Sequence, residues 1–124
     1  MEVINLEGTE DTPRVLLDAA KNIFEISGRS LPEDCFHFYS PILKWLDSYI
    51  LSPNPKTIFE VKLEYFNTAS SKMILDVLTK LENIKDAGKE VTIQWYFYDD
   101  DEDMQEAGEE FAELVEVPFE YKVY

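Results

Sequence analysis

Asn67-Thr68-Ala69-Ser70-Ser71-Lys72 crowds hydroxyl and amide side chains into one short stretch. Such residues start helices by accepting hydrogen bonds from free backbone N–H groups. A hydroxyl placed there could do more. Free amides and the positive end of the helix dipole stabilise an added phosphate, and Lys72, one turn further on, could add charge. The stretch is therefore both a helix cap and a candidate phosphorylation site. The two readings are compatible, because a capping hydroxyl on a tight exposed turn is also open to a kinase.

Other chemistry-bearing groups are sparse. Asp99 to Asp103, DDDED, lacks the spaced ligands and turning glycine of a Ca²⁺ loop; it reads as a solvated loop leading into a helix. Cys35 and His37 lie close together but are too few for a metal site. His37 sits among Phe36, Phe38 and Tyr39, a setting for a packed or surface histidine rather than a general base. No G-x-S-x-G, P-loop or G-x-G-x-x-G is present. No enzyme activity, cofactor or metal is expected.

The knuckle is positioned by what flanks it. Phe59, Val61, Leu63 and Tyr65 alternate with Glu60, Lys62 and Glu64, a strand with one buried face. From Met73, Ile74, Val77, Leu78, Leu81 and Ile84 recur at helical spacing as far as Ala87-Gly88, where glycine suits a C-cap. Val91 to Tyr98 alternates again, so strand, helix and strand imply a parallel pair. Upstream, Glu2 to Leu6 reads as a short strand. Arg14–Leu17 and Ile23–Ser27 form a hairpin that Gly28 ends. Pro41 predicts a broken helix: a piece over Pro32–Phe38, then a main helix from Pro41 to about Leu51 capped by Ser40. Its inner stripe is Ile42, Leu43, Leu46, Tyr49 and Ile50, with Trp45 at the edge. Met104, Ala107, Gly108, Phe111, Leu114 and Val115 mark a last helix, and Phe119 to Tyr124 a last strand. Polar residues alternate through the central strands, which predicts an α/β fold with a mixed sheet, helices on one face and the other face largely open. One domain over 1–124 is expected.

The chain has 124 residues, 45% of them apolar, and a formal net charge of −15. Such a surface repels nucleic acid and anionic lipid, whose binding needs Lys and Arg. Partners should present neutral, apolar or basic surfaces. A single cysteine suits a reducing, cytoplasmic setting. The start MEVINLEG is no secretion signal, and the longest uncharged run, Cys35 to Leu43, falls far short of the ~18 residues that span a bilayer. The polar open sheet face gives no reason for a dimer, so a monomer is expected.

The segments EGTEDTP, FEISGRSLPED, FYSPILKWL, FEVKLEYFNTASSK and DEDMQEAGEEFAELVEVPFE resemble the bacterial SiaC-type regulatory phosphoproteins, from about Leu6 to the C-terminus. LEYFNTASSK is the most specific of them. That family looks like STAS domains, the fold of anti-sigma-factor antagonists. The resemblance implies a partner switch in cyclic di-GMP signalling. A cognate protein kinase phosphorylates the threonine of N-T-A-S-S, here Thr68, and a PP2C-type phosphatase removes the phosphate. The unmodified form engages a downstream target, a diguanylate cyclase. Other STAS antagonists carry a phosphoserine after an aspartate in a D-S-S-G-like turn. Asn67 stands at the aspartate's place here and the glycine is missing, so control of a sigma factor is not among the implications. Residues 67–72 are then expected to face the partner. The alternative is a constitutive acidic scaffold whose knuckle is only a helix cap.

Overall fold

The computed structural model describes residues 1–124. Six strands form one sheet in sequential order: β1 (Ile4–Leu6), β2 (Arg14–Asp18), β3 (Ile23–Ser30), β4 (Lys56–Phe66), β5 (Glu90–Phe97) and β6 (Phe119–Val123). β1, β2 and β3 pair antiparallel; β3 to β6 pair parallel. Each parallel connection carries helix: α1 (Cys35–Tyr49), then α2 (Thr68–Lys80) with α3 (Glu82–Asp86), then α4 (Glu102–Leu114). The sheet is mixed, as the alternating strands predict.

All four helices lie on one face, over Val15, Leu17, Phe24, Ile26, Phe59, Val61, Leu63, Val91, Ile93 and Trp95. The opposite face is open and electrically balanced. Arg14 pairs with Glu25, Lys62 lies 3.4 Å from Glu25 and 3.3 Å from Glu60, and Gln94 donates to Glu120 beside Lys122. The surplus of negative charge therefore belongs to the loops and the helical side.

Four details depart from the sequence reading. First, α1 runs unbroken through Pro41 and is capped by Asp34, whose Oδ1 accepts from the His37 amide at 3.0 Å. Pro41 lies on the exposed side, so the backbone bond it forfeits opens toward water. Tyr39, Ile42, Trp45, Leu46 and Tyr49 meanwhile stay buried as one continuous stripe. Packing of that stripe outweighs the proline. Trp45 is inside it rather than at its edge, and Leu43 and Ile50 are only half-buried.

Second, β3 continues past Gly28, which holds φ +95°, as far as Ser30. Third, the pairing of β3 with β4 slips at this point: Gly28 faces Leu63, but Arg29 faces Tyr65. Glu64 is the extra residue of a β-bulge, and an inserted residue reverses the inside-outside alternation beyond it. Tyr65 consequently turns outward, 45% exposed, with the Arg29 guanidinium over its ring at 5.3 Å. Phe66 turns inward against Trp95 and Phe111. Fourth, the helix after the knuckle divides at Leu81 into α2 and α3, although Ile74, Val77, Leu78, Leu81 and Ile84 are all buried as predicted. Gly88, at φ +80°, follows α3 in the expected place.

Candidate functional site

The knuckle joins the end of β4 to α2. Asn67 is the N-cap: its side-chain oxygen accepts from the Ser70 amide at 2.8 Å and its carbonyl from the Ser71 amide at 3.0 Å. Thr68 and Ala69 occupy the first two helical positions, both exposed, and their amides have no intrahelical acceptor. Lys72 is exposed and outside every ion pair of the chain.

Ser70 corrects the expected surface. It is fully buried and cannot meet a partner directly. Its hydroxyl donates to the Ser30 carbonyl at 2.9 Å and accepts from the Ser30 hydroxyl at 2.9 Å. With its own proton committed to Ser70, Ser30 Oγ accepts from Tyr39 OH at 2.6 Å. The Ser30 carbonyl also accepts from the Asn67 amide at 3.0 Å. The ends of β3 and β4 and the helices α1 and α2 thus meet in one buried polar cluster. No buried side-chain polar atom in the chain lacks a partner.

Burial raises the Tyr39 phenol to about 12, with the Ser30 bond opposing the rise and nearby Cys35 adding to it. The folded chain holds this proton more tightly than the unfolded one. Its contribution, about 2–3 kcal/mol, is complete below pH 10 and lost as pH climbs through 12. Urea titrations at pH 10 and 12 should therefore show Tyr39→Phe losing less stability over that interval than the parent chain. Equal losses would show that the phenol carries none of it.

Thr68, Ser71 and Lys72 line a groove of about 310 Å³ between α2 and α4. Phe66, Leu75, Ala107 and Phe111 contribute apolar walls, and Glu110 and Leu114 come from α4. Leu114 is 63% exposed, although periodicity places it with the core. The α4 contribution was invisible beside the knuckle because it lies some forty residues away in sequence. Of the pair Leu114-Val115, the buried one is Val115, the C-cap residue with extended backbone just beyond the helix. The knuckle thus has an apolar groove attached, with Thr68 among its lining residues.

The acidic loop is arranged for helix starting. Asp101 caps α4 by accepting from the Met104 amide at 3.0 Å, and Glu102 and Asp103 fill the first turn. No three acidic, histidine or cysteine side chains converge as a metal-ligand group. His37 is exposed. No helix is long and apolar enough to cross a membrane.

The family model for the SiaC family of regulatory phosphoproteins matches residues 6–124. The chain belongs to that family. A relative from Pseudomonas aeruginosa (strain UCBPP-PA14), an uncharacterised protein, is 27% identical over 119 residues, covering 96% of this chain and 94% of its own. The crystal structure of apo-SiaC from P. aeruginosa superposes with a TM-score of 0.88 at 26% identity, over 98% of this chain and 99% of that one. A chain of the crystal structure of the diguanylate cyclase SiaD in complex with its activator SiaC, also from P. aeruginosa, gives 0.90 at 26% identity with the same coverage. This SiaC-family chain is accordingly a regulatory phosphoprotein with the fold of those structures.

Proposed function

We propose that the chain is a non-enzymatic switch, phosphorylated on Thr68, whose unmodified form docks on and regulates a diguanylate cyclase. A protein kinase would add the phosphate and a PP2C-type phosphatase remove it. The observation that carries this reading is the position of Thr68. In a member of a regulatory phosphoprotein family, it is the exposed hydroxyl of the knuckle, at the first position of α2 and on the lining of an apolar groove. Its neighbours are worse acceptors: Ser70 is sealed inside and Ser71 is half-buried. Support for the cyclase comes from the neighbouring SiaC, which activates SiaD.

Incubation with the cell's own kinase fraction and mass spectrometry of the knuckle peptide test the assignment. Phosphate should appear on Thr68 and vanish in Thr68→Val, while Ser71→Ala is still labelled. Labelling that survives Thr68→Val would sink the Thr68 assignment and move the acceptor to another residue, whereas a chain that takes no phosphate would be better described as a constitutive acidic scaffold.

A further inference from the structure

The geometry points to Ser70 as a positioning residue for Thr68: its buried hydroxyl pins the first turn of α2 to the Ser30 carbonyl, so that Thr68-Ala69 is a short bridge anchored at both ends. This inference rests on the reading of Thr68 as the switch. One anchor is Asn67, whose amide donates to the Ser30 carbonyl at 3.0 Å. The other is Ser70, whose hydroxyl donates to that same oxygen at 2.9 Å. Between them lie the two exposed residues, at a helix end where backbone bonds are fewest and fraying is expected. Without the Ser70 anchor, the first turn is held only by the Asn67 cap. A partner that reads Thr68 would then have to order the turn on binding, and ordering a single residue costs about tenfold in affinity.

Ser30 and Tyr39 belong to the same network but differ in consequence. The pin ends on the Ser30 backbone, so Ser30→Ala keeps it. Tyr39→Phe removes only the outer bond, Tyr39 OH to Ser30 Oγ. Both substitutions disturb buried hydrogen bonds as Ser70→Ala does, and so they separate positioning from plain loss of stability.

Amide hydrogen exchange on the ¹⁵N-labelled full chain is the test, read at Ser70 and Ser71, whose amides bond to Asn67. In Ser70→Ala, exchange there should rise about tenfold relative to Ile93 in β5, while Ser30→Ala and Tyr39→Phe leave the ratio unchanged. Ser70→Cys, near-isosteric with a weak donor and kept under reductant because the free Cys35 Sγ lies 3.5 Å from the Ser70 hydroxyl, should behave like Ser70→Ala and serves if the alanine variant does not fold. A ratio in Ser70→Ala no different from that in Tyr39→Phe would overturn the inference. Binding is then measured against a purified diguanylate cyclase from the same organism that binds the parent chain. Ser70→Ala should bind about tenfold more weakly, and parental affinity despite raised exchange would also overturn it. Parent chain phosphorylated on Thr68 is the parallel arm. If that form keeps its affinity, the switch reading fails, whereas the exchange result stands or falls independently.

Discussion

A chain carrying phosphate on Thr68 should melt where the unmodified chain melts, yet bind the proposed cyclase target at least about a hundredfold more weakly. The two halves of this expectation have different causes. Within the chain, the phosphate sits at the first position of α2, beside amides without intrahelical acceptors and one turn from the uncommitted Lys72. The dipole alone offsets about 0.3–2 kcal/mol. Against this, Glu110 lines the same groove and repels the new charge. These terms oppose one another, so the fold is retained. In a docked complex the balance changes. Roughly −1.5 to −2 charges would enter an interface shaped for a neutral hydroxyl and an apolar groove. Removing an unpaired dianion from water costs several kcal/mol, and each ~1.4 kcal/mol is a factor of ten. Calorimetry on the stoichiometrically phosphorylated chain reads both halves. Unfolding on modification, or undiminished affinity, would each contradict the mechanism.

Gly108→Ala should destabilise the chain by about 3 kcal/mol, among the larger effects of any single methyl group. A Cβ at this position would lie 2.5 Å from Cδ1 and 2.6 Å from Nε1 of Trp95. The indole cannot step aside. It is completely buried, packs against Phe66, Phe111 and Phe119, and donates from Nε1 to the Met104 carbonyl at 2.9 Å. Relief has to come from α4 lifting away from β5, and that movement also opens the groove, because Ala107, Glu110, Phe111 and Leu114 travel with the helix. The melting temperature should fall by on the order of 10 °C, and binding to the proposed cyclase target should weaken in the same variant. A melting temperature within about 2 °C of the parent would show that the helix accommodates the methyl without moving.

The parts of this molecule legible in the sequence are those fixed by neighbours along the chain. Asn67 announces a helix start because capping is decided within three residues, and Val91 to Tyr98 announces a strand because alternation needs only its own residues. The bulge at Glu64 escapes such reading, since it exists only against β3, and it alone decides that Phe66 rather than Tyr65 turns inward. Pro41 misleads for a related reason. Its local cost is real, but a buried stripe extending from Tyr39 to Tyr49 is a property of the packed helix. Likewise the knuckle could be found from residue types, whereas the groove beside it required α4 to be set against α2. The burial of Ser70 belongs with these long-range facts, since its partner is forty residues upstream.

The balanced charges of the open sheet face have a consequence for encounters at a distance. With cation and carboxylate matched there, the excess of a chain at −15 is lopsided, concentrated toward Asp99–Asp103 and the acidic exterior of α4. A body charged in this way has a long-range polarity. A basic protein drifting near would be rotated toward the helical side before any contact formed, and dissolved ions would blunt that guidance over roughly 10 Å.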